Sequence, residues 1–422
     1  MVANAYDNSR FWHDWFDSAG LRPGDINTLA DLAKIPQCTK KDLLARPERD
    51  RLTQDPEKCN RGSTSGSTGG PLAVFNSKRF TDHILTMTLF RFTRMTGFKM
   101  MGRKMMTIAY ALPSKEPDNP TKPTRSSSRK VLGIAVYLLR PIGRFVYRTV
   151  YIGYGIDDVA PEIADYKPRL IYGTPTYLRL LADWVRSTGN KDIRPKENFL
   201  TGEPLDEPTR EYIDATFGSR TMNGYGANEF GFMAVECKEK SGLHIQSDSV
   251  ILEVMCDGRP APPGEPGELV ITGLVNDAMP LIRYNIGDIG ILSDARCPCG
   301  RTLPLLASVE GRVVDHIRLP SGRVVSPKRV MTMMHMIPDL PRSQLVQETP
   351  DTFTLRVFAD TPAARASTTE FLRQLKAEIG DELTVNVTFE TPDRLRAKFR
   401  PVISRLDPPA PGQWLKPLRT AA

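Results

Sequence analysis

The stretch Ser63-Thr64-Ser65-Gly66-Ser67-Thr68-Gly69-Gly70-Pro71 limits what this chain can fold into more than any other. Side chains this small let the backbone curl until its N–H groups and the hydroxyls converge on one point, an arrangement suited to a polyphosphate. A flexible linker shares the composition, but strand character resumes at once in Leu72-Ala73-Val74-Phe75 and no low-complexity tail follows. A Walker loop is excluded, because no Lys-Ser or Lys-Thr pair follows the final glycine at the required spacing.

Composition narrows the class. A chain of 422 residues, 40% hydrophobic and 25% charged, has the length for two or three domains and the balance of a soluble globular fold. The longest apolar run, Val131–Leu139, is far shorter than the ~20 residues of a membrane span and reads as a buried helix. The first residues lack the basic and apolar regions of a signal peptide. Six cysteines in so long a chain do not form a disulfide framework, so a reducing, cytoplasmic setting is expected. The net charge of +8 favours anionic ligands such as nucleotides. Basic residues are spread out, with local concentrations only at Arg140–Arg148 and Arg394–Arg405, which read equally well as solvated faces; no nucleic-acid partner is expected.

Along the chain, residues 9–47 read as helical pieces with an apolar stripe of Phe11, Trp12, Trp15 and Phe16. The glycine-rich loop lies between short strands within Asn60–Asn76, and an amphipathic helix is expected over Thr81–Met95. Residues 113–130, polar and proline-rich, read as a mobile surface loop. From residue 149 strands alternate with helices: Leu170–Tyr172, a helix from Thr176 to Trp184, then Asn198–Glu203, the texture of an α/β sheet covered by helices. Strands dominate from about 249 to 293 and predict a β-rich subdomain. After Gly311–Gly322 come a helix near Lys328–Met336, a strand Thr352–Phe358, a helix Ala364–Ile379 closed by Gly380 and a strand Leu383–Phe389, a small α+β domain. The expected fold class is thus α/β, with a large N-terminal domain (1–314), a small mobile C-terminal domain (315–406) and a loosely held tail (407–422).

Four further stretches carry chemistry. Gly202-Glu203-Pro204 follows a strand. In Asn223-Gly224-Tyr225-Gly226-Ala227-Asn228-Glu229 the glycines allow close backbone approach and Glu229 suits Mg²⁺. In Leu281-Ile282-Arg283-Tyr284-Asn285-Ile286-Gly287-Asp288 a carboxylate after a glycine turn suits a ribose diol. Arg394–Arg400 is a basic loop around Lys398. Alone, each is an ordinary turn or a solvated charge.

In this order the pieces resemble the adenylate-forming superfamily, specifically the phenylacetate–CoA ligase family with its capsular-polysaccharide-biosynthesis relatives. Tyr166-Lys167-Pro168, Thr174–Leu178, Cys297-Pro298-Cys299-Gly300-Arg301-Thr302 and Gly311-Arg312 add to the match, which runs from about Phe11 to Ser404. The resemblance implies that a carboxylic acid attacks the α-phosphate of ATP to give an acyl-AMP, from which CoA displaces AMP. It assigns the β- and γ-phosphates to Ser63, Thr64, Ser65, Gly66, Ser67, Thr68 and Gly69, and Mg²⁺ to Glu229. It places Gly202, Glu203, Gly226 and Asn228 in the nucleotide site, Tyr225 against the adenine, and Asp288 with Arg312 at the ribose hydroxyls. Lys398 becomes the catalytic lysine that reaches the acyl carboxylate and α-phosphate, on a domain that turns between the half-reactions.

The sequence departs from that pattern at several points. Asn228 stands where a Thr or Ser is usual, no lysine accompanies Pro71, Val314 with Asp315 occupies the hinge, Ala397 replaces a glycine, and the His-rich stretch of aryl-acid ligases is missing around Tyr110–Leu112. The acid is left open by this last difference. Alternative readings are an amide synthetase with an amine or amino-acid acceptor, and a non-catalytic nucleotide-binding relative. A homodimer is one of the assemblies the reading admits. Cys237, His244, Cys297 and Cys299 make a Cys₃His set of the kind that binds structural Zn²⁺; the other reading is buried thiols and a surface loop, since C-x-C is tighter than the usual knuckle. Cys38, Cys59 and Cys256 read as ordinary small residues, and His13, His83, His316 and His335 as structural.

Overall fold

The computed structural model describes residues 1–64, 70–87, 91–98, 103–109, 146–151, 155–380, 382–390 and 399–407. Two compact units result, Met1–Thr96 with Gly224–Val313, and Gly97–Asn223 with Val314–Ala422. The expected features at 113–130 and 131–139 and the tail beyond Asp407 lie outside the described residues.

In the first unit, Ser9 separates helices Val2–Asn8 and Arg10–Ser18, its side chain accepting from the Trp12 backbone N–H, which starts the second helix. Phe11, Trp12 and Phe16 are buried as the apolar stripe predicts, and Trp12 Nε1 donates to the Pro280 carbonyl at 2.8 Å. The glycine-rich run is flanked, as expected, by an antiparallel strand pair, Asn60–Ser63 with Ala73–Asn76. Beyond it, helical stretches Lys78–Thr86 and Phe92–Thr96 cover both ends of the helix expected over Thr81–Met95, whose residues 88–90 lie outside the described residues.

The β-rich part of this unit is larger than the expected 249–293. Strands Arg259–Pro260, Val250–Cys256, Pro266–Gly273, Tyr284–Ser293, Leu305–Arg312, Leu243–Ile245 and Gly231–Glu236 follow one another in that spatial order, all antiparallel. The last pairs with the end of Arg220–Ala227. Two residues near the N-terminus, Cys38–Thr39, join in parallel beside Tyr284–Asn285.

In the second unit the predicted alternation is present. Strands Val146–Tyr151, Lys104–Ala109, Leu170–Gly173 and Glu197–Thr201 run parallel in that spatial order; helix Ile156–Tyr166 connects the first to the third, Pro175–Thr188 the third to the fourth, and Glu207–Phe217 follows the fourth. Parallel neighbours need such crossovers. The C-terminal segment forms its own sheet, Thr384–Phe389, Thr352–Val357, Ser343–Gln347 and Val402–Ser404, with helices Pro327–Met336 and Pro362–Ile379. Thr361 caps the longer helix and Gly380 ends it. Phe353, Leu355, Phe371, Leu375 and Val330 centre a core built from residues 317–402.

Candidate active site

Strand pairing builds the centre of the site. Asp288 and Arg312 sit opposite each other on antiparallel neighbours, so Arg312 Nε lies 2.9 Å from Asp288 Oδ1. The Tyr225 hydroxyl donates to Asp288 Oδ2 at 2.8 Å. Both carboxylate oxygens are thereby oriented, with lone pairs left to accept a diol. Burial first, then the Asp288 charge, pushes the Tyr225 hydroxyl well above its ordinary pKa, so it remains a donor. The same carboxylate holds Arg312 more firmly protonated.

Glu229 lies in the turn between Arg220–Ala227 and Gly231–Glu236, a turn closed by the Phe230 N–H on the Ala227 carbonyl at 3.1 Å. This turn needs glycine: a Cβ on Gly226 would stand 2.6 Å from the Gly231 carbonyl oxygen. Glu229 is only 7% exposed. Burial pushes its carboxyl above the ordinary range; its own backbone N–H and the charges of Arg312 and Lys40 pull the other way. It borders a cavity of about 10 Å³ together with Ser249 and Asn276, space for about one water.

The glycine-rich run is tied to this turn at its base. Asn228 Nδ2 donates to the Ser63 carbonyl at 2.7 Å. Thr64 closes the neck, its N–H bonding to the Leu72 carbonyl at 2.9 Å and its hydroxyl accepting from the Leu72 N–H at 3.0 Å. Gly70 has φ +83°, a conformation that glycine adopts freely. Ser65, Gly66, Ser67, Thr68 and Gly69 lie outside the described residues.

Gly202, Glu203 and Lys398 belong to the other unit. Gly202 follows Glu197–Thr201 with φ +84°, and Glu203 Oε2 accepts from the Thr176 N–H at 3.1 Å, at the start of Pro175–Thr188. A carboxylate there suits the positive end of the helix. Lys398 lies outside the described residues, but the chain that follows it is firmly held. Arg400 pairs with Asp315, its carbonyl accepts from Gln344 Nε2 at 2.7 Å, and the Phe399 ring meets Phe358 edge-on at 6.0 Å under the Arg342 guanidinium.

The four residues of the Cys₃His set converge, with all ligand-capable atoms within 4.8 Å of one another. No family model matches the chain. A phenylacetate-coenzyme A ligase of Thermus thermophilus is 28% identical over 418 residues, 94% of this chain and 85% of that protein. One from Aromatoleum evansii is 29% identical over 371 residues, 84% and 78% of the respective chains. A crystal structure of 2-hydroxyisobutyryl-CoA ligase in its postadenylation state aligns with TM-score 0.76 at 20% identity, covering 95% of this chain and 86% of that one. The chain is thus similar over most of its length to phenylacetate–CoA ligases and shares the fold of an adenylate-forming CoA ligase.

Some residues around the site escape sequence reasoning. Lys40 is brought near Glu229 and Arg312 because Cys38–Thr39 pairs with Tyr284–Asn285, a contact across the chain that no local pattern announces. Tyr284 is buried beside Glu229 and Asp288, and its hydroxyl is pushed strongly up, first by burial. Arg283, in the same motif, is structural: its guanidinium meets Glu253 at 3.1 Å and the Ala33 and Ile35 carbonyls at 3.1 and 2.7 Å. His335 is engaged too, with Nδ1 2.5 Å from buried Asp206 and 2.8 Å from the Thr209 hydroxyl, at the start of Glu207–Phe217.

Proposed function

We propose that the chain is an ATP-dependent carboxylic acid–CoA ligase that makes an acyl-AMP and passes the acyl group to CoA. The observation that carries this reading is the Tyr225–Asp288–Arg312 constellation beside buried Glu229, with the glycine-rich run anchored to the same turn by Asn228. Asp288 accepts from the ribose hydroxyls, Arg312 holds it charged and in place, and the Tyr225 ring packs against the adenine. Ser63–Gly69 hold the leaving polyphosphate through backbone N–H groups and hydroxyls.

Glu229 fits Mg²⁺, because a buried carboxylate pushed up by desolvation gains from a cation. When bound, that ion would neutralise the polyphosphate charge that otherwise repels the attacking carboxylate. Soft donors are gathered at Cys237, His244, Cys297 and Cys299, which suit Zn²⁺ rather than Mg²⁺. Lys398 supplies a compact point charge to the acyl carboxylate and α-phosphate. The proposed division places the nucleotide residues in 1–314 and this lysine in 315–406. All six cysteines are free, which suits the reducing cytoplasm in which we place the reaction.

Pyrophosphate exchange with a panel of aryl and aliphatic acids tests adenylation, and adding CoA, amines or amino acids identifies the acceptor. Exchange with no acid in a broad panel sinks the reading; amide in place of thioester moves it to an acid–amine ligase. Lys398→Ala should lower exchange by about 10³-fold, as loss of one transition-state donor does, while thioester formation from supplied acyl-AMP stays largely intact. Equal loss in both half-reactions contradicts the role.

A further inference from the structure

We infer that Cys237, His244, Cys297 and Cys299 form a structural Zn²⁺ site that pins three β segments together. Cys237 directly follows Gly231–Glu236, His244 is the middle residue of Leu243–Ile245, and Cys297 and Cys299 lie on the connection between Tyr284–Ser293 and Leu305–Arg312. Cys237 Sγ is 3.5 Å from Cys297 Sγ, and Cys299 Sγ is 3.4 Å from His244 Nε2. Zn–S bonds of about 2.3 Å set at tetrahedral angles put ligand atoms about 3.7 Å apart. The spacing is too long for a disulfide, whose sulfurs lie about 2.0 Å apart, and matches neighbours on one metal.

The backbone around the sulfurs is built to the same end. The Lys240 N–H bonds to the Cys237 carbonyl at 3.0 Å and the Gly300 N–H to the Cys297 carbonyl at 3.1 Å. Each turn has its last residue at positive φ, Lys240 at 53° and Gly300 at 79°. For Lys240, which carries a Cβ, that conformation is costly without a compensating contact. Two similar turns thus present sulfur toward one point from opposite sides of the strand Leu243–Ile245.

Hydrophobic packing does not account for the cluster. Its buried residues are Cys237, Cys297 and Leu305, with Cys299 against them. So few apolar side chains do not explain why three sulfurs and an imidazole nitrogen converge on one point, whereas a tetrahedral metal does. Four protein ligands fill a tetrahedron and leave no open position, so the site is structural rather than catalytic. It stands independently of the adenylation reading.

Elemental analysis of the full chain, purified without chelator, should return roughly one zinc per chain. The Cys297→Ser, Cys299→Ser double variant should return almost none, while Cys256→Ser keeps the full content. The wild-type protein with zinc exchanged for Co²⁺ should show thiolate-to-cobalt charge transfer and intense tetrahedral d–d bands, a readout that needs no variant to fold. Less than about a tenth of stoichiometric zinc, with no cobalt–thiolate spectrum, overturns the inference. So does stoichiometric zinc that persists in the double variant.

Discussion

The strand Leu305–Arg312 carries two sites of opposite character at its two ends. At its start Leu305 lies across from His244 of the cysteine cluster; at its finish Arg312 lies across from Asp288. Seven steps of about 3.3 Å separate the two ends by roughly 23 Å. The cluster end gathers soft, neutral-to-thiolate donors held by turns of their own backbone. The end proposed for the nucleotide gathers hard charges whose burial is only partly offset: Asp288 is matched by Arg312 and Tyr225, but Glu229 carries an uphill desolvation cost. On the proposed reading, one end stabilises the fold when its metal is bound, and the other carries a burial cost that nucleotide and cation would relieve.

The sharpest test of that contrast is Glu229→Gln. It should lower pyrophosphate exchange by about 10²- to 10³-fold, in the range of losing one transition-state electrostatic contact. In the ligand-free protein the same change should raise Tm. A carboxyl whose folded pKa lies above its unfolded value gives stability that is complete below the unfolded value and lost as pH rises through the folded one. The gain in Tm should therefore be present at neutral pH and vanish below the ordinary glutamate range. A lower Tm at neutral pH breaks the comparison.

A smaller effect is expected at Asp288. Asp288→Asn keeps an acceptor but removes the charge that pairs with Arg312, and should raise the KM for ATP about tenfold, as loss of a charged hydrogen bond does, with kcat little changed. A fall confined to kcat would place Asp288 elsewhere in the reaction. The smallest catalytic effect should follow metal removal at the other end. Stripping zinc should lower Tm by about 5 °C or more and leave the KM for ATP in the surviving folded protein within about threefold. A tenfold loss of ATP affinity would show that the two ends act as one unit.

Much of the site was legible because its residues sit in short motifs with their own turn chemistry. The run at 63–71, the Tyr225–Glu229 turn and Asp288 are each marked by glycines, and the strands flanking the first are where the sequence places them. Gly226 needs its identity for a reason the motif hides, since it is the Gly231 carbonyl that crowds it. The strand Leu305–Arg312 was missed because its burial does not alternate cleanly; it opens on two adjacent leucines, Leu305 and Leu306, and runs into Gly311, which blurs its period of two.

By itself the sequence determined the α/β texture, the small-residue loop, the identity of the charged groups and the four soft ligands. These are local properties, set by turn geometry, periodicity and the chemistry of single side chains. Tertiary structure decided which of them meet. The placement of Lys40 near Glu229 rests on pairing between residues 38–39 and 284–285. Arg283 became a structural pin only through carbonyls near residue 34, and Arg400 found Asp315 across 85 positions. Such contacts carry little signature in any window of sequence, since they depend on strand register and loop closure over the whole chain rather than on neighbouring residues.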